Sequence, residues 1–136
     1  MAATKARLFY DGSCGLCHLS VRLAVRADRT GAVRFAPLEG PTFRRLVPET
    51  GRSCLPDSLV LRTEDGVLLT RSAAVVALLR RLGSPWAWLA AVVAAVPTPL
   101  ADGLYDAVAR VRLRLFPRPL EPCPRVSPEW RDRFDP

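Results

Sequence analysis

Apolar and polar residues recur along this chain with two different periods, and those periods lay out its elements. Residues 7 to 10, Arg-Leu-Phe-Tyr, form a short run suited to a buried strand, and Asp11-Gly12-Ser13 supplies a turn with Ser13 as a helix N-cap. From Cys14 the spacing turns helical: Cys17, Val21, Ala24 and Val25 share one face, while Arg22, Arg26 and Arg29 fall on another. Basic residues in the last turn suit the negative end of the helix dipole, and Gly31 is the expected stop. Residues 32 to 36 alternate as a second strand ended by Pro37. If it runs parallel to the first, the opening unit is a right-handed β-α-β.

Residues 41 to 48 predict a short helix with Phe43, Leu46 and Val47 inward. Residues 58 to 62, the Asp65-Gly66 turn and residues 67 to 70 spell a β-hairpin, after which Ser72 opens a helix over 73 to 82 that Gly83 stops. The order β-α-β-α-β-β-α predicts an α/β fold: a thioredoxin-like mixed four-stranded sheet with helices on both faces, filling residues 7 to 82. A helical C-terminal extension follows over residues 83 to 116. Pro85 starts a helix over 86 to 96, and Pro97 and Pro99 break it; residues 100 to 116 then resume with Leu104, Val108, Val111 and Leu115 on one stripe. Residues 117 to 136 read as a proline-rich tail draped over the same domain, so that one domain takes in residues 1 to 136.

Composition narrows the classes. The 136 residues are 49% apolar and 24% charged, which excludes disorder for most of the length. The net charge of +7 is dispersed, with no basic stripe interleaved with aromatics, so no nucleic-acid partner is expected. No apolar leader precedes the first strand, and a cytoplasmic location is expected. The most apolar window, residues 86 to 96, is well short of the roughly 20 residues of a membrane span and predicts a packed helix. Any membrane contact would fall to the C-terminal helices.

The chemistry concentrates in Cys14-Gly15-Leu16-Cys17. Two cysteines three apart in the first turn of a helix can close a small disulfide ring and reopen it by exchange with a partner thiol. The free N–H groups and dipole at a helix N-terminus stabilise a thiolate there, which makes Cys14 the expected exposed nucleophile. Cys17, one turn deeper and on the side of Val21 and Ala24, is the expected resolving thiol, left less readily ionised by burial. Zinc is the metal alternative, joining Cys14 and Cys17 to two of Cys54, His18 and Cys123, but no second C-x-x-C or C-x-x-H pair supplies the other half. A buried structural pair of thiols is the remaining reading of the motif.

Residues 9 to 17, Phe-Tyr-Asp-Gly-Ser-Cys-Gly-Leu-Cys, resemble the Asp-x-x-Cys-x-x-Cys signature of the DCC family of predicted thiol-disulfide oxidoreductases, also called domain of unknown function 393. The similarity continues through the Asp65-Gly66 hairpin, Arg71-Ser72-Ala73-Ala74-Val75, Leu104-Tyr105-Asp106 and the tail from Cys123-Pro124 to Arg133-Phe134. It implies a thioredoxin-like fold and dithiol chemistry. Where the family pattern often carries Asp after the serine, this chain has Ala73, which argues against an amine-binding role there.

Asp11 distinguishes this motif from that of ordinary thioredoxin. It can cap the turn or take a proton from a thiol during exchange, but its charge opposes a Cys14 thiolate and cannot be what activates it. His18, four residues after Cys14, reads either as a cation favouring that thiolate or, more commonly, as a packed or solvated side chain. Pro56, before the third strand, stands where a thioredoxin-like site places a cis-proline beside its substrate. The function expected is a dithiol-disulfide oxidoreductase acting on a disulfide or thiol substrate, a protein or glutathione, with no permanently bound organic cofactor. Two alternatives stand beside it: a glutathione-linked transferase in which Ser72, at its helix N-terminus, receives a glutathione carboxylate, and a non-catalytic binding or membrane-peripheral module using the C-terminal helices.

Overall fold

A computed structural model of the chain describes residues 5–11, 15–38, 40–49, 59–115 and 128–135. Strand β1 (Ala6–Tyr10) leads to helix α1 (Gly15–Ala27) and strand β2 (Val33–Pro37), followed by α2 (Pro41–Leu46). The hairpin strands β3 (Val60–Arg62) and β4 (Leu68–Thr70) precede α3 (Arg71–Arg81), α4 (Trp86–Ala95), α5 (Thr98–Leu115) and a 3₁₀ turn (Pro128–Arg133). The sheet order is β2-β1-β3-β4, with β1 parallel to β2 and antiparallel to β3, and β3 antiparallel to β4. This is the thioredoxin-like arrangement, a mixed four-stranded sheet with helices on both faces and a helical C-terminal extension.

The central strand explains why both faces need cover. Successive side chains of a strand point to opposite sides, and in β1 every residue but Arg7 is buried. Leu8 and Tyr10 join Cys17, Val21, Ala24 and Val25 of α1 and Ala74, Ala77 and Leu78 of α3 on one face. Phe9 joins Ala36, Val60 and, from the α2 region, Phe43 and Val47 on the other. Phe9 and Phe43 meet edge to face with ring centroids 5.0 Å apart.

Three junctions depart from the sequence expectation. Pro37 lies within β2 rather than beyond it, paired with Tyr10 at the end of the strand; proline is tolerated there because it has only to forgo one ladder donor. Pro99 sits in the first turn of α5, where its missing N–H would have no intrahelical partner, so the break at residues 96 and 97 is shorter than expected. The end of the tail is also more ordered than a drape: the Phe134 ring stacks on Phe35 at 5.2 Å, and the Asp135 N–H donates to the Phe35 carbonyl at 2.7 Å, so the tail covers the outer edge of β2.

Asp135 fastens that tail. Its carboxylate accepts from Arg34 Nη2 at 2.6 Å and from Arg7 Nε at 2.7 Å, both partly buried. The Arg34 hydrogen bond holds the Asp135 carboxyl below the ordinary carboxylate range against the opposing effect of burial, with Arg7 adding to it. A carboxyl whose folded pKa is depressed contributes stability above its unfolded pKa and loses it as pH falls through the folded value. Asp135→Ala should therefore cost about 1–3 kcal/mol in urea unfolding at neutral pH, and the deficit should shrink as pH falls below about 4. An equal deficit at both pH values would contradict the ionic clamp.

Candidate active site

The pairing register brings several chain segments to one end of the sheet. Phe9 pairs with Val60 and Val60 with Thr70, so the carboxyl end of β1, the amino end of β3 and the carboxyl end of β4 lie side by side. Asp11 leaves β1 there and is buried. Gly15 begins α1, and Cys17 in its first turn is 4% exposed, packed in the cluster that holds Val21, Ala24, Leu8 and Tyr10. His18 is also buried, its ring perpendicular to that of Tyr10 with centroids 6.1 Å apart. Cys14, Pro56, Cys54 and Cys123 lie outside the described residues. Among the described residues no three His, Cys, Asp or Glu side chains are grouped as metal ligands.

Helix α3 starts at the same end of the sheet, directly after β4, and α5 packs against it. Thr70, not Ser72, is the N-cap of α3, and it makes no side-chain cap hydrogen bond. Arg71 takes a left-handed φ of 54°, a conformation that costs a non-glycine residue about 1–2 kcal/mol. Two carboxylates one turn apart on α5 hold this junction. Asp102 Oδ1 accepts from the Ser72 hydroxyl at 2.5 Å and from the Ser72 N–H at 3.3 Å, and Asp106 pairs with Arg71 at 3.5 Å. The Ser72 hydroxyl bond holds the Asp102 carboxyl below its ordinary range, with the Ser72 N–H and the Arg71 charge acting in the same direction. A negative charge at the positive end of a helix dipole is favourable, so Asp102 does from a distant helix what a local cap would do. Tyr105, between the two carboxylates, accepts at its hydroxyl from the Leu59 N–H at 3.2 Å, tying α5 to the segment that enters β3.

Sequence pattern alone does not mark Asp102, Tyr105 and Asp106 as site residues. The available signal is a pair of carboxylates at i and i+4, flanking a tyrosine, on the side of α5 opposite the Leu104 and Val108 stripe. Their partners lie some 30 to 46 residues away, beyond the reach of local periodicity.

Comparison with known proteins gives a consistent result. Residues 8–118 match the family model described as DCC1-like thiol-disulfide oxidoreductase. The chain is 35% identical over 133 residues to the uncharacterized protein YuxK of Bacillus subtilis (strain 168), a match covering 95% of this chain and 93% of that protein. It is 29% identical over 111 residues to a chloroplastic DCC family protein of Arabidopsis thaliana, covering 82% of this chain and 64% of that one. No solved structure matches the chain.

Proposed function

The chain belongs to the DCC1-like thiol-disulfide oxidoreductase family, and from that premise we propose that it exchanges disulfides through Cys14 and Cys17, with Cys14 attacking and Cys17 resolving. The observation that carries this reading is the direct succession of β1 and α1, with Cys17 buried in the first helical turn at the sheet end where β3 and α3 also begin. Cys14 directly precedes Gly15, the first residue of α1, in the sequence, and N–H groups without intrahelical partners at a helix start favour a thiolate.

In the reductive direction the Cys14 thiolate attacks one sulfur of the substrate disulfide. A mixed disulfide forms, and the first substrate thiolate leaves and takes up a proton. Cys17 then gives up its proton and attacks the Cys14 sulfur, releasing the second substrate thiolate. The protein is left with a Cys14–Cys17 disulfide, having supplied two electrons, and an external dithiol or two molecules of a monothiol such as glutathione restore it. Asp11, buried at the end of β1, is proposed to take the Cys17 proton in the second step. Pro56 and Ser72 are proposed to border the substrate. Asp102 already occupies the N–H and hydroxyl of Ser72, so a glutathione carboxylate at that helix end would have to displace it. This favours a substrate that brings no carboxylate to α3.

Alkylation of the reduced protein at slightly acidic pH, followed by peptide mapping, tests the assignment. A thiolate lowered from about 8.5 into the range of about 3.5–7.5 should react while ordinary thiols stay protonated, and label should accumulate on Cys14. Label mainly on Cys17, Cys54 or Cys123 would reverse the roles, and slow, equal labelling of all four would indicate a structural pair.

A further inference from the structure

Helix α5 is amphipathic the wrong way round for a helix that caps a soluble domain. At about 100° per residue, Leu100, Leu104, Val108 and Val111 share one side and Asp102, Tyr105 and Asp106 lie on the other. The polar side faces the domain, bonded to Ser72, Leu59 and Arg71. The apolar side faces outward: Leu100 is 63% exposed and Leu104 67%, with Val108 and Val111 also exposed. Helix α4, expected to be a packed helix, shows the same pattern. It buries Ala90 but leaves Trp88 72% exposed and Leu89 and Val92 open. A cavity of about 330 Å³ lined by Val75, Val92, Val96, Leu104 and Val108 opens within this surface. A continuous apolar face spread over two helices marks an interaction site.

The charges select the occupant. Helix α4 carries no charged residue, and the two carboxylates of α5 are turned inward to Ser72 and Arg71. Exposed Arg110 and Arg114 border the outward stripe of α5, on a chain of net charge +7. Apolar side chains, a tryptophan pair and flanking arginines, with both acids paired on the other side of α5, match the headgroup boundary of an anionic bilayer. Neither helix is long and apolar enough to cross a membrane, and the two are bent by 112° at their junction. Two helix axes meeting at one bend define one plane, so both can lie along a surface together.

We propose that the outward faces of α4 and α5 dock on an anionic phospholipid surface, with Trp88, Leu100, Leu104 and Val108 entering the acyl boundary and Arg110 and Arg114 meeting lipid phosphates. The proposal does not depend on the dithiol reading. Its test is co-sedimentation of the full chain with vesicles of phosphatidylcholine and of phosphatidylcholine mixed equally with phosphatidylglycerol. Binding should be at least about tenfold stronger to the anionic vesicles and weaken with salt, since each basic residue near such a surface contributes about fivefold. Trp88→Glu with Leu104→Glu should abolish it, and Arg110→Gln with Arg114→Gln should lower it by about tenfold or more. All four side chains are exposed, so circular dichroism and Tm of the variants should match the wild type. Equal binding to both vesicles, binding that survives Trp88→Glu with Leu104→Glu, or self-association of the chain through this face without vesicle binding would each overturn the proposal.

Discussion

Asp28→Ala is expected to lower the free energy of unfolding by about 3–5 kcal/mol, a large part of the roughly 5–15 kcal/mol that holds a domain of this size. The Asp28 side chain is completely buried just past α1. Its two oxygens accept from the Val33 N–H at 2.9 Å, the Ala32 N–H at 3.1 Å and the Thr30 hydroxyl at 3.3 Å, so one carboxylate turns the chain from α1 into β2. Arg133 completes the junction: its Nη1 lies 3.8 Å from Asp28 Oδ2 and donates to the Asp28 carbonyl at 2.6 Å, placing a cation at the negative end of α1. Alanine would leave the Val33 and Ala32 N–H groups without their acceptor and Arg133 facing carbonyls alone. Each buried donor so stranded costs about 1–3 kcal/mol, and loss of one ionic partner adds to it. Asp28→Asn keeps one acceptor oxygen and should fall between alanine and wild type. The measurement is the urea midpoint at constant m-value; a loss below about 0.5 kcal/mol for Asp28→Ala would refute this reading of the α1–β2 junction.

Local pattern accounts for much of this fold. The runs over residues 7 to 10 and 32 to 36, the helical spacing of Cys17, Val21, Ala24 and Val25, and the Asp65-Gly66 turn all identify their elements, although α1 ends at Ala27, well before the expected stop at Gly31. Each is a short-range consequence of which side chains must be buried. Gly66, with φ 90°, is needed where the hairpin turns, and Thr63 and Val67 close that turn by mutual hydrogen bonds. Periodicity could not say which side of α5 meets the domain. The stripe through Leu104 and Val108 is plain in the sequence, yet hydrogen bonds from distant Leu59 and Ser72 turn the opposite side inward. The tail shows the same limit: Asp135 bonds to Arg7 across 128 positions, and Phe134 finds Phe35 at the edge of the sheet. A proline-rich segment carries no local signal of such contacts.

The proposed dithiol site is marked in the sequence by its residue types, and the residues around it are marked less clearly. The spacing of Cys14 and Cys17 after a strand and at the start of a helix points to dithiol exchange from residue types alone. The contributions of Asp102, Tyr105 and Asp106 were hidden, because a carboxylate supplied from another helix replaces the local cap that the Thr70 side chain does not provide. Ser72 looks like a helix opener in sequence; in the fold it is a first-turn residue whose donors are already engaged.

The proposed Cys14–Cys17 pair is one reversible two-electron couple, and an equilibrium redox titration measures it directly. The protein is held in glutathione buffers of graded potential, quenched with alkylating reagent and weighed by mass spectrometry. One transition is expected, in which both thiols of the pair become protected together, with a midpoint in the range of roughly −120 to −270 mV spanned by known dithiol oxidoreductases. Cys14→Ser should remove the transition and lower disulfide reduction by about three orders of magnitude, and Cys17→Ser should stall as a mixed disulfide at Cys14. A wild-type pair that stays reduced across the whole range, or Cys14→Ser retaining full turnover, would contradict dithiol exchange through Cys14 and Cys17.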